Sequence, residues 1–261
     1  MMRGILFDMD GVLYEGDTAI PGAAEVIVWC REQNIPFLFL SNTTSRPRRA
    51  LVEKLAGMGI DIELNNILTP PVAAVNWLKR HRSGPAALFV PESTREEFAA
   101  ISEARAGEET VSAVVLGDLG EQWDFVTYNR AFRLLMQNPD ARLIALGLTR
   151  YWQAADGLRL DVGPFVKGLE YATGVESLVM GKPAPPFFQT ALDMLGLEAG
   201  ETLMLGDDIR GDIDGAQRAG INGVLVRSGK FRDHDLSLGI TPYAVIDSIA
   251  VLPDWWCNQG L

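Results

Sequence analysis

Short, fully apolar runs recur along the chain, separated by longer stretches in which apolar residues return every three or four positions. Residues 5–7, 35–40, 202–205 and 224–226 have the length and uniform hydrophobicity of strands buried on both faces of a parallel sheet. Between them the helical period predicts a helix over 21–29 opened by Pro21, one over 48–58 closing at Gly59, one over 184–195 ending at Gly196, and one over 212–219 ending at Gly220. The middle of the chain repeats this alternation, with strands predicted at 86–90, 113–116 and 142–146 and helices at 93–101 and 128–137. Strand-helix alternation implies right-handed crossovers, so the predicted fold is α/β: a doubly wound, parallel-sheet (Rossmann-like) core interrupted by a smaller inserted α/β domain. The expected division is 1–81 for the first core segment, 82–178 for the insertion and 179–261 for the second core segment.

In open α/β sheets ligands gather beyond the carboxyl ends of the strands, so the residues that follow each apolar run matter most. Asp8 and Asp10 follow the first, Ser41, Asn42 and Thr43 the second, and Asp207, Asp208 and Asp212 the run ending at Leu205; Gly181, Lys182 and Pro183 follow Met180. Each has an ordinary reading: turn aspartates, a solvated lysine, a helix cap in Asp212. Together they supply a carboxylate nucleophile, a second acid, hydroxyl and amide donors, an ammonium and a separate acidic metal ligand, the inventory for magnesium-assisted phosphoryl transfer. Two carboxylates as close as Asp8 and Asp10 call for a hard cation such as Mg²⁺ to offset their repulsion.

Composition narrows the partners. The 261 residues are 48% hydrophobic and 22% charged, enough for a sizeable globular core, and the net charge of −11 disfavours nucleic acid or an anionic membrane as a partner. No apolar run approaches bilayer-spanning length and the first predicted strand lies close to Met1, so a cytoplasmic protein is expected. Cys30 and Cys257 lack metal-ligand spacing and read as reduced thiols packed as small apolar groups, and Trp29 and Trp77 read as core residues.

The segments Asp8-Met9-Asp10-Gly11-Val12-Leu13, Ser41-Asn42, Gly181-Lys182-Pro183 and Gly206-Asp207-Asp208-Ile209-Arg210-Gly211-Asp212-Ile213 resemble, in order, the four motifs of the haloacid dehalogenase superfamily. An α/β insertion between the second and third resembles the NagD-like subfamily IIA with its C2-type cap, a likeness that continues through 157–172, 206–220 and Arg227-Ser228-Gly229-Lys230-Phe231. The resemblance implies a Mg²⁺-dependent phosphatase in which Asp8 is the nucleophile and Asp10 the general acid and base. By the same likeness, Ser41, Asn42 and Lys182 hold phosphoryl oxygens. The metal is held by Asp8, the Asp10 backbone carbonyl, Asp207 and, through water, Asp212, with Asp208 a further contributor. The implied substrate is a small-molecule phosphate: a phosphomonoester, a phosphoramidate or pyrophosphate.

Specificity is expected in the insertion, where Arg150, Tyr151, Trp152 and Asp161, with Thr149 and Asp156, form a polar and aromatic cluster after the 142–146 strand. Tyr151 and Trp152 equally fit the insertion's core or a homodimer contact through the cap. A receiver-like phospho-acceptor switch, a metal-independent dehalogenase and a noncatalytic binding protein on the same scaffold stay open at this point.

Overall fold

Strand Gly4–Asp8 is buried along its whole length, and it holds the middle of a six-stranded sheet in the computed structural model. The structure describes residues 2–105, 107–154 and 156–258. The sheet runs Ala244–Ile246, Asn222–Val226, Thr202–Gly206, Gly4–Asp8, Phe37–Leu40, Ile67–Leu68, and every neighbouring pair is parallel. From the first strand the chain continues to one side through Phe37–Leu40 and later fills the other side from Thr202–Gly206. The strand order therefore reverses between Gly4–Asp8 and Thr202–Gly206, and such a reversal opens a crevice at the carboxyl ends.

Alternation along the first strand sends Ile5 and Phe7 into a cluster with Phe39, Leu205 and Val224, covered by Val26, Ile27 and Cys30 of helix Ala23–Glu32 and Leu51 and Leu55 of helix Arg48–Ala56. Both expected helices form, with shifted ends. Pro21 stays outside its helix because Gly22, at φ 87°, turns the chain at the N-cap. The predicted 212–219 helix begins earlier, as a π-helical segment Ile209–Asp214 running into helix Gly215–Arg218. The cause is Asp208, whose Oδ1 accepts the N–H groups of Arg210 and Gly211 and so starts the turn.

By internal contacts the chain divides into Met1–Ser41, Arg48–Leu68 and Lys182–Leu261 as one unit, and Asn42–Pro47 with Thr69–Gly181 as the other. This differs from the expected bounds. Helix Pro70–His81 packs on the 3-10 turn Glu96–Phe98, and strand Leu178–Val179 pairs with Arg142–Ala145, so both fall in the second unit. That unit is built on a parallel sheet ordered Leu178–Val179, Arg142–Ala145, Ala113–Leu116, Ala86–Phe89. Helices Phe125–Gln137 and Val162–Thr173 bury Leu134, Leu135, Val166 and Leu169 in its core. The helix expected over 93–101 shrinks to Glu92–Arg95 plus the 3-10 turn, because the chain returns to the sheet: Ala86 donates to Ser102 O and Ala104 donates to Ala86 O. Trp29 packs against the first unit's core, whereas Trp77 is only half-buried and stacks on His81. Cys30 is buried, which pushes its thiol up to about 12; Cys257, expected to pack, is exposed.

Candidate active site

Strand register brings the first two acids together. Phe7 pairs with Leu205, so Asp8 and Gly206 are level and Asp207 stands one residue further out on the adjacent strand. Asp8 also pairs with Leu40, which puts Ser41 just beyond it on the other side. Asp212 returns to this point by donating its N–H to Asp208 O at 2.9 Å, while its Oδ2 accepts from Asp208 N at 3.2 Å. One carboxylate oxygen each from Asp8, Asp207 and Asp212 then lies within 4.8 Å of the others, all three residues being buried. Lys182 joins them from the loop before helix Pro185–Leu195; its Nζ donates to Asp8 Oδ1 and, at 2.7 Å, to Asp212 Oδ1.

Three buried carboxylates against one ammonium leave two negative charges uncompensated. Burial raises the Asp8 carboxyl above its ordinary value, and the Asp207 charge adds to this against the pull of Lys182. Burial also pushes Asp207 up to about 6, helped by the Asp212 charge and opposed by the Lys230 N–H, and pushes Asp212 up to about 6, helped by the Asp8 charge. Burial pulls the Lys182 ammonium down, but the charges of Asp212 and Asp8 outweigh it and the net shift is upward. Asp207 Oδ1 is buried with no hydrogen-bond partner among the described residues. An orphaned, buried carboxylate oxygen in an acid trio that carries two excess negative charges fits a hard divalent cation, which takes oxygen ligands and supplies the missing charge.

Asp208 is not part of the trio; bound to two backbone N–H groups and 3.7 Å from Lys230 Nζ, it anchors the turn that carries Asp212. Burial would raise its carboxyl, but the Gly211 N–H and the Lys230 charge hold it below the ordinary value. Asp10 is exposed, and its backbone bridges to Tyr14 at the start of the small ribbon Tyr14–Glu15 and Thr18–Ala19. Lys54 secures that ribbon, with Nζ 4.1 Å from the Tyr14 ring centroid and donating to Gly16 O at 2.6 Å. Ser41 is half-buried and donates its N–H to Leu68 O at 3.1 Å; Asn42 is exposed. The reading of strand ends did not single out Lys230, whose backbone N–H donates to Asp207 Oδ2 at 2.7 Å. Its only signal was the likeness carried by the 227–231 stretch, which follows strand Asn222–Val226.

In the second unit, Tyr151 and Trp152 lie on an antiparallel ribbon, Tyr151–Ala154 against Gly157–Leu160, and both are exposed. They are therefore not core residues. Adjacent strand residues point to opposite faces, so Tyr151 shares a face with its partner Leu160 and with Leu158, while Trp152 shares the other with Arg159. Arg150 sits 5.7 Å from the Tyr151 ring centroid. Asp161 is half-buried and caps helix Val162–Thr173, its Oδ1 accepting from Val162 N at 2.6 Å. Burial raises its carboxyl, with a contribution from Asp118. Asp156 pairs with Arg159 at 2.6 Å.

A family profile described as haloacid dehalogenase-like hydrolase matches residues 5–102, and a second HAD-hydrolase-like profile matches 179–252. The chain is 40% identical over 238 residues to the human phospholysine phosphohistidine inorganic pyrophosphate phosphatase, covering 90% of this chain and 86% of that one. Among solved structures it resembles a p-nitrophenyl phosphatase from Archaeoglobus fulgidus with a TM-score of 0.86 and 27% identity, covering 97% of this chain and 99% of the other. NagD from E. coli K-12 gives a TM-score of 0.84 at 25% identity over 95% and 97%.

Proposed function

Because the chain belongs to the haloacid dehalogenase superfamily, in its NagD-like branch, we propose that it is a Mg²⁺-dependent phosphatase that works through an aspartyl-phosphate on Asp8. The observation that carries this reading is the buried trio Asp8, Asp207 and Asp212 bridged by Lys182, with Asp207 Oδ1 left without a hydrogen-bond partner among the described residues. Asp8, Asp207, the Asp10 carbonyl and, through water, Asp212 would hold the cation. When bound, it would neutralise the trio and the incoming phosphoryl oxygens.

Asp8 attacks phosphorus in line, forming the O–P bond as the leaving group's bond to phosphorus breaks, and Asp10 protonates the departing oxygen or nitrogen. Asp10 then takes a proton from the water that attacks the aspartyl-phosphate, which releases phosphate and restores Asp8. Lys182, the Ser41 hydroxyl and the Asn42 amide hold the remaining phosphoryl oxygens. The similarity to a phospholysine, phosphohistidine and pyrophosphate phosphatase and to p-nitrophenyl phosphatases supports a small phosphomonoester, phosphoramidate or pyrophosphate as substrate. Among the described residues no helix is long and apolar enough to cross a membrane, and the proposed setting is the cytoplasm. Specificity is assigned to Arg150, Tyr151, Trp152 and Asp161.

The proposal extends to a homodimer through the cap. Leu158 and Leu160 are 68% and 60% exposed beside Tyr151 on a two-stranded ribbon, and such a ribbon gains stability from a partner surface.

The test is turnover of 4-nitrophenyl phosphate, a phosphoramidate and pyrophosphate with Mg²⁺ or EDTA, for wild type and Asp8→Asn. Cation-dependent release by wild type alone is expected. Equal release by Asp8→Asn would refute the nucleophile; a stable acyl-phosphate without release would favour the phospho-acceptor switch; and no phosphoryl chemistry on any substrate would favour a binding protein.

A further inference from the structure

The stretch Ser228-Gly229-Lys230 comes one residue, Arg227, after the end of strand Asn222–Val226 and reaches Asp207 of the acid trio. Three of its groups reach three different parts of the first unit. Ser228 Oγ donates to Gly11 O at 2.6 Å, Gly229 N donates to Glu15 Oε1 at 2.8 Å, and Lys230 N donates to Asp207 Oδ2 at 2.7 Å. Gly11 and Glu15 belong to the loop and ribbon that follow Asp8, so this turn ties the metal-side carboxylate to the segment carrying Asp10.

The two glycines form a slot with no room for side chains. A Cβ on Gly11 would stand 2.0 Å from Asp207 Oδ2, and a Cβ on Gly229 would stand 2.1 Å from the same oxygen and 2.6 Å from Gly11 Cα. Both residues also have positive φ, 85° and 64°, which L side chains resist. Oδ2 is thus wedged between two α-carbons and fixed by one N–H, and this sets the plane of the carboxylate. The other oxygen, Oδ1, is left buried and without a hydrogen-bond partner among the described residues, on a carboxylate that belongs to the trio. A carboxylate whose plane is fixed in advance loses less freedom on binding a cation, and loss of such an outer support costs metal sites about 10–100-fold in affinity.

We propose that Ser228, Gly229 and the Lys230 backbone are positioning residues for the cation: the turn holds Asp207 so that only Oδ1 faces the metal. The inference rests on the divalent-cation reading of the site given above.

Mn²⁺ binding, followed by the loss of its free-ion electron paramagnetic resonance signal, tests this without turnover. Wild type, Asp207→Asn, Ser228→Ala, Ser228→Thr and Gly229→Ala are titrated, and urea midpoints of the metal-free proteins are measured alongside. Ser228→Ala is expected to weaken Mn²⁺ binding about tenfold and Gly229→Ala up to about 100-fold, with Ser228→Thr close to wild type and urea midpoints of the Ser228 variants little changed. If Gly229→Ala does not fold, the Ser228 pair decides. Wild type binding through Asp207, with Ser228→Ala and Gly229→Ala within twofold of it, would overturn the positioning role alone. Equal binding by wild type and Asp207→Asn would overturn the cation site itself, and the proposal with it.

Discussion

The acid trio is expected to make the protein's stability depend on pH and on cation in a linked way. Asp207 and Asp212 are both pushed up to about 6 in the folded chain, from an ordinary value of 3.8. Below about pH 4 both states hold these protons and folding is indifferent to them; between about pH 4 and 6 the unfolded chain has released protons that the folded chain keeps. Stability therefore falls as pH rises through that window, and the loss persists above it, up to about 3 kcal/mol for each group at roughly 1.4 kcal/mol per unit. A cation that binds the ionised trio offsets this, by about 2.7 kcal/mol at a hundred times its Kd. The assay is thermal unfolding at about pH 4.5 and about pH 7.5, in EDTA and in Mg²⁺, for wild type and Asp207→Asn, the variant serving to cancel every other titrating group. In EDTA, wild type should lose at least about 1 kcal/mol relative to the variant as pH rises, and Mg²⁺ should restore it at the higher pH only. A relative stability that is flat or grows with pH, or an equal response of both proteins to Mg²⁺, would refute the assignment of these carboxylates as a charge-strained cation site.

Asp10→Asn should slow hydrolysis of an alkyl phosphate far more than that of 4-nitrophenyl phosphate, whose leaving group needs little protonation; equal slowing of the two would count against the acid role. Lys182→Ala, which strips the counter-charge from buried Asp8 and Asp212, should weaken transition-state binding by about 2–4 kcal/mol in kcat/KM, and a loss of only a few-fold would mark the lysine as dispensable. Leu158→Asp combined with Leu160→Asp should convert a dimer to a monomer by light scattering, with 4-nitrophenyl phosphate turnover compared in parallel; an unchanged mass would exclude this ribbon as the interface.

Local pattern decided more of this protein than its length suggests. The strands were legible because burial on both faces demands uninterrupted apolar runs, and Gly196 and Gly220 marked helix ends because a left-handed residue closes a helix cheaply. Asp8, Lys182, Asp207 and Asp212 each had an ordinary structural reading and stood out only in combination, as a set of groups for phosphoryl transfer gathered near strand ends. What the pattern could not carry was distance: the parallel register of Gly4–Asp8 with its two neighbours brings Asp207 and Ser41 beside Asp8, and the loop before helix Pro185–Leu195 brings in Lys182, 174 residues from Asp8. Tertiary structure alone separated Asp208, spent on backbone N–H groups, from Asp207, and set Tyr151 and Trp152 on opposite faces of a ribbon. It also gave the Ser228-Gly229-Lys230 stretch, which sequence offered only as part of a likeness, a hydrogen bond to a buried carboxylate. A backbone N–H and an absent side chain leave no signature in hydrophobic periodicity; their effect exists only where a second segment of chain approaches within hydrogen-bonding reach.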